Sequence, residues 1–154
     1  VKLKKSSYHA AVNSICLILL LGSAIYLVLN WGKIPDQVPA HYDASGTIDR
    51  WGSKYELLIF LALGWIIYFG MAAISRFPSA WNTGVHVTAE NKERVYKILR
   101  AMLDTLQLLI SAVFSFLIID SSLSNTLPGW FLPAFLCLVF GSIIFFSIRL
   151  VRAR

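Results

Sequence analysis

The chain has 154 residues, of which 57% are hydrophobic and only 14% charged, with a net charge of +6. Water-soluble domains of this size are about 45–50% apolar and about 25% charged, so the composition excludes an ordinary soluble fold. The positive balance does not point to direct binding of nucleic acid. The basic residues stand in short clusters beside apolar runs, which is the pattern that sets membrane topology.

A hydrocarbon core of about 30 Å requires about 20 mostly apolar residues per helix. Four such runs fit, at about 10–30, 56–75, 102–120 and 130–148. The expected fold is therefore an all-α membrane protein with four transmembrane helices in a single domain over 1–154. Lys2, Lys4 and Lys5 precede the first run, Ala10 to Leu29. That run is longer than the apolar part of a secretory signal, so it reads as a retained signal-anchor helix. Asn13 and Ser14 near its start read as helix-packing polar groups.

Residues 31–55 form the longest polar interruption in the N-terminal half. Pro35 and Pro39 hold its first part extended, and Asp43-Ala44-Ser45-Gly46 has Asp and Gly at the two ends of a tight turn. The flanks 39–42 and 47–51 read as a short β-hairpin. It would bring His41 near Asp49, with Lys54 arriving just before the second helix. Such a cluster ties the loop together or, alternatively, offers His41 and Asp49 to a divalent metal. A lone His without Cys leaves a zinc ligand set short. Neither an H-E-x-x-H helix nor a G-x-S-x-G elbow is present, and no cofactor and no enzymatic activity are expected.

The second run, Leu57 to Ser75, carries Gly64, Gly70, Ala72 and Ala73, small residues that let helices approach closely. Trp65 and Tyr68 within it read as packing residues. Residues 76–101 then form a loop and a helical stem, with Trp81 as an interface anchor. Thr88 is placed as an N-cap, with Glu90 in the first turn. Val95, Ile98, Leu99, Met102, Leu103 and Leu106 recur at helical spacing with no breaker before Asp120. About 32 residues at 1.5 Å each give roughly 48 Å, longer than the hydrocarbon core, so the third helix should project from the membrane. Lys92, Arg94, Lys97 and Arg100 make its exposed face a surface for anionic headgroups or for a docked protein. A short uncharged loop leads to the fourth run, Trp130 to Ile148, with Pro133 in its first turn. Cys16 and Cys137 both lie inside apolar runs and read as buried free thiols.

Orientation follows from counting charge. Lys2, Lys4, Lys5, Arg76, Lys92, Arg94, Lys97, Arg100, Arg149, Arg152 and Arg154 fall on one side of the four crossings, and only Lys33, Arg50 and Lys54 on the other. Basic loops stay in the cytoplasm. Both termini are thus expected inside, and residues 31–55 outside the cell. Within the runs, ionisable residues are functional candidates by default. Asp104 and Asp120 qualify, with Gln107 on the face of Asp104. Asp104 either pairs with Arg100 one turn earlier or contributes to a cation or proton site in the bundle. No ladder of intramembrane acids supports a proton relay.

The run from Ile34 to Lys54 also resembles the signature of a bacterial membrane family, domain of unknown function 1648. Pro35, Pro39, His41, Tyr42, Asp43, Gly46, Asp49, Trp51, Ser53 and Lys54 all fall on its pattern. The segment 82–106, with Thr88, Glu90, Asn91, Tyr96 and Arg100, looks familial as well. The same domain occurs at the N-terminus of SdpI-type bacteriocin immunity proteins, which protect a producer from its own secreted peptide toxin and can hold a transcriptional repressor at the membrane. The resemblance implies an outer-loop ligand or peptide site at Pro39, His41, Tyr42, Asp43, Gly46, Asp49, Trp51 and Lys54. It implies a cytoplasmic docking surface at Glu90, Asn91, Arg94, Tyr96 and Arg100. The expected partners are the lipid bilayer, a peptide toxin outside, a repressor inside, and a second copy of the chain. SdpI proteins have further C-terminal helices beyond the four read here. The alternatives to immunity are a small ion-coupled transporter and a metal-dependent membrane enzyme using His41 and Asp49.

Overall fold

The computed structural model describes residues 6–154; the basic leader Lys2, Lys4 and Lys5 lies outside them. The elements are α1 (Ser7–Asn30), β1 (Gln37–Tyr42), β2 (Ile48–Ser53), α2 (Glu56–Ile74), a 3-10 turn (Pro78–Ala80), α3 (Lys92–Ser122) and α4 (Phe131–Val151). All four α-helices are long and apolar enough to cross a membrane. The chain is a multi-pass membrane protein with a two-stranded antiparallel hairpin between α1 and α2.

Local chemistry explains where the helices begin. Ser6 caps α1 by accepting a hydrogen bond from the His9 N–H, so α1 starts before the apolar run does. At α3, Thr88 and Asn91 cap reciprocally: each side-chain oxygen accepts from the other's backbone N–H. The N-cap expected at Thr88 is displaced: Asn91 holds that position, with Thr88 in the turn before it, and regular helix begins at Lys92 rather than Ala89. It continues past Asp120 to Ser122, 31 residues in all, or roughly 46 Å. Ser124, at φ 58°, then turns the chain out of the helix.

Helix α3 is the axis of the bundle, packing on α1, α2, α4 and β1. From Asp104 onward its buried face is polar: Asp104, Gln107, Ser111, Ser115, Ser121 and Ser122 are all buried, with Ile118 among them. Large apolar residues point outward instead, among them Ile18, Val28, Leu29, Ile66 and Phe140. This reverses the soluble arrangement, in which polar residues are mostly exposed. It is stable where lipid solvates the outer surface and small serines let neighbouring backbones close on α3. The serine spacing therefore belongs to packing first.

Apolar clusters hold the ends. Leu27, Ile34, Val38, Leu57 and Ile118 pack beneath the hairpin. Val95, Ile98, Leu99, Phe146, Leu150 and Ala153 pack at the opposite end, with Trp81 against them. Trp81 also donates its indole N–H to the Ile74 carbonyl, which ties the α2–α3 connection to the bundle. Tyr68 packs with Val12, Cys16 and Leu20. Cys16 is buried as expected, but Cys137 is exposed. The reason is that α4 fully buries only Phe146 and Leu150 and leaves much of its surface exposed, Cys137 included.

Candidate functional site

The hairpin turn is organised by one carboxylate. Asp43 Oδ1 accepts from the Ser45 and Thr47 N–H groups at 2.8 and 2.9 Å and from the Ser45 hydroxyl at 2.6 Å. The Ser45 hydroxyl bond, then the Thr47 amide, holds its pKa below the usual carboxylate value. Gly46 closes the turn by donating to the Asp43 carbonyl at 3.0 Å. It has φ +86°, a region an L side chain adopts only with strain. Its carbonyl accepts from the Leu127 N–H at 2.9 Å, and a Cβ there would overlap the Leu127 carbonyl. The turn is therefore docked on the α3–α4 loop.

Pro39 stands opposite Trp51, and the register slips just beyond it, between Pro39 and His41. A proline with no N–H to donate fits beside such a bulge. Val38, Pro39 and Ala40 are buried in succession, so β1 turns its centre toward the helices, whereas β2 lies outside with Trp51 exposed. On the outer side, His41 Nδ1 and Asp49 Oδ1 meet at 2.6 Å, both well exposed. Arg50 forks onto Glu56, at 3.2 and 2.9 Å, and donates to the Ala40 carbonyl. That clamp fixes the bulged strand to the start of α2.

The expected His41–Asp49 approach is present, but Lys54 does not join it. Lys54 pairs with Asp36 at 2.9 Å and lies over the Trp31 ring. Pairing of Gln37 with Ser53 places residues 36 and 54 opposite one another, away from His41. Asp43 is likewise occupied by its own turn. Among the described residues, no group of three or more His, Cys, Asp or Glu side chains converges to hold a metal ion.

Beneath the hairpin is a pocket of about 310 Å³. Phe60, Leu117, Leu127, Phe131 and Phe135 supply its apolar wall, while His41, Tyr42, Asp43 and Ser121 bring polar groups to it. Tyr42 bridges the hairpin to α3: its hydroxyl meets Ser121 Oγ at 3.1 Å and donates to the Asn125 carbonyl at 3.3 Å. Burial raises the Tyr42 phenol above its ordinary pKa. Residues far apart in sequence build this pocket. Only the hairpin members were visible as candidates beforehand.

At the other end of α3 a second polar group assembles. Asp104, 2% exposed, does not pair with Arg100 directly. His9 stands between them, with Nδ1 at 2.9 Å from Asp104 Oδ1 and Nε2 at 3.0 Å from an Arg100 nitrogen. Asn13 Nδ2 also approaches Nε2, at 3.2 Å, and Tyr68 donates to Asn13 Oδ1 at 3.3 Å. Sequence reasoning missed His9. The available signal was that His9, Asn13 and Cys16 share one face of α1 by helical spacing, as do Arg100, Asp104, Gln107 and Ser111 on α3. Asp120 instead sits at the hairpin end, where its Oδ1 accepts from Asn125.

The proposed docking surface is reduced by the fold. Asn91 is buried in its cap and donates to the His86 carbonyl. Tyr96 is buried against Trp81, and Arg100 is engaged with His9. Glu90 and Arg94 remain exposed.

The family described as Domain of unknown function (DUF1648) matches residues 18–74, which hold the hairpin and most of α1 and α2. The match ends before the segment 82–106 and does not extend the likeness to SdpI-type proteins. No curated protein and no solved structure matches the chain.

Proposed function

We propose that the chain is a non-enzymatic protein of a bacterial cytoplasmic membrane whose extracytoplasmic hairpin and underlying pocket recognise an amphipathic peptide, as in immunity to a secreted peptide toxin. The observation that supports this most is the pocket. It is lined mostly by apolar side chains, with His41, Tyr42, Asp43 and Ser121 beside them, and lies within the size range of ligand sites, about 300–1,000 Å³. An amphipathic peptide matches that pairing, with an apolar side chain under the hairpin and polar groups toward His41, Tyr42 and Asp49. The excess of Lys and Arg at the opposite end favours placing the hairpin outside. Glu90 and Arg94 would then face the cytoplasm, where a repressor or other regulator is the proposed partner.

The test is survival. A sensitive strain expressing the chain is challenged with secreted amphipathic peptide toxins, beside His41→Ala, Asp49→Ala and the pocket-filling Leu117→Trp. Protection by the parent chain and its loss in the variants is the expected result. Equal protection by all three variants would show that hairpin and pocket do not recognise the peptide, and no protection by the parent would end the immunity reading. A second reading, an ion-coupled transporter, draws on the buried Asp104 and Gln107. Unchanged ion flux in liposomes carrying Asp104→Asn and Asp120→Asn would dispose of it.

A further inference from the structure

We infer that α1 and α3 form a proton-binding site at the membrane boundary opposite the hairpin, in which His9 takes the proton and Asp104 is its counter-charge. The site is independent of the pocket beneath the hairpin, so failure of peptide recognition leaves it standing.

The hydrogen bonds fix the starting state. Arg100 and the Asn13 amide nitrogen both donate to His9 Nε2, and neither group can accept there. Nε2 is therefore the unprotonated nitrogen, and the proton of the neutral ring is on Nδ1, donated to Asp104 Oδ1. His9 is 15% exposed, whereas Asp104 is 2% exposed. From Asp104 to Ser122, about eighteen residues rise roughly 27 Å, close to the hydrocarbon thickness of about 30 Å. With Ser122 at one boundary, His9 stands at the other, within reach of water.

The loaded state can be built from groups left open in this one. A proton from water adds to the Nε2 lone pair and gives an imidazolium; only the two hydrogen bonds to Nε2 break. Arg100 must then leave, because cation would face cation. Asp104 Oδ2 and Arg100 Nε are both buried and have no hydrogen-bond partner. They lie one turn apart on α3, so Arg100 can swing to Asp104 while Asp104 keeps its bond to His9 Nδ1. Asn13 can rotate its amide, presenting Oδ1 to the new N–H and Nδ2 to the Tyr68 hydroxyl, which then accepts. Apart from the Tyr68 hydroxyl hydrogen, which gives up its bond to Asn13 Oδ1, each donor and acceptor displaced by the proton has a destination. Among the described residues, the other ionisable groups nearby are Tyr8, bonded to Thr105 at 2.7 Å, Tyr68 beyond Asn13, and Cys16 beside Ser111. The unpartnered Gln107 Nε2 lies on the same face of α3, next to Asp104.

Nitrogen NMR of the full chain, labelled at histidine and held in phosphatidylglycerol–phosphatidylcholine nanodiscs, tests this. The signal that vanishes in His9→Gln identifies His9. Before titration it should be the Nδ1–H tautomer. Asp104→Asn should weaken its proton affinity about tenfold, and Arg100→Gln should strengthen it by a similar factor, as removal of an opposite and a like charge requires. Damage to the fold would send both variants toward the same exposed-histidine behaviour. An Nε2–H tautomer in the parent chain, or variants that shift together or not at all, would overturn the site.

Discussion

Gly46→Ala separates the two reasons for a glycine at the hairpin tip. The first is conformational: at φ +86° an alanine costs roughly 1–2 kcal/mol. The second is contact, since a Cβ would overlap the Leu127 carbonyl and push the turn off the α3–α4 loop. Separation also breaks the 2.9 Å bond from the Leu127 N–H, worth about 1 kcal/mol net. Together they amount to about 2–3 kcal/mol, or roughly 30–150-fold at tenfold per 1.4 kcal/mol. Gly84 supplies the control, because it has φ +65° and open space around its missing Cβ. Gly84→Ala should report the conformational cost alone. The assay is amide hydrogen exchange, following Leu127, whose opening free energy reads the docking directly. Leu127 exchange that is unchanged in Gly46→Ala would show that the turn is not held on the loop.

Asp43 gives a pH dependence. Because its folded pKa lies below the usual carboxylate value, its stabilisation of the turn is complete above that usual value and is lost as pH falls through the depressed one. The Thr47 amide resonance should shift over that acid window, and in Asp43→Asn it should not. Tyr42→Phe should cost about 1 kcal/mol through loss of the bonds to Ser121 and Asn125, read as faster exchange of the hairpin amides with α3 unaffected. Leu57→Ala should lower thermal stability in detergent by about 2–5 kcal/mol, since Leu57 is fully buried among Leu27, Val38 and Ile118. A loss well under 1 kcal/mol would mean that this cluster does not carry the hairpin end.

The helices were legible because length and apolar composition are local properties, and a bilayer imposes them on each run separately. The hairpin was legible for a similar reason: Asp43 and Gly46 carry their turn geometry with them. Lys54 was misplaced because its partner depends on register: with Gln37 opposite Ser53, Lys54 meets Asp36 rather than His41. The docking face was overestimated because a helical stem looks solvated from its charges, while Asn91 and Tyr96 are buried by a connection folding back through Trp81. His9 escaped notice because it stands just outside an apolar run, and its partners are 91 and 95 residues away. Cys137 was misjudged because an apolar run in a membrane protein has a lipid face as well as a packed one.

The polar face of α3 unites these observations. In water, a helix with Asp104, Gln107, Ser111 and Ser115 on one side would turn that side outward; in lipid the same side must turn inward, because unmet polar groups are costlier in hydrocarbon than in water. That requirement alone makes α3 the axis, and it leaves α1, α2 and α4 to carry the lipid-facing surface. Packing explains the serines, since Ser115 with no partner for its hydroxyl still lets a neighbouring helix approach. It does not explain Asp104. Alanine or serine would pack as closely without burying a carboxylate beside a histidine and an arginine. A carboxylate buried at the edge of a membrane bundle, with one oxygen on the His9 ring and the other without a partner, is a polar group that close packing alone does not require.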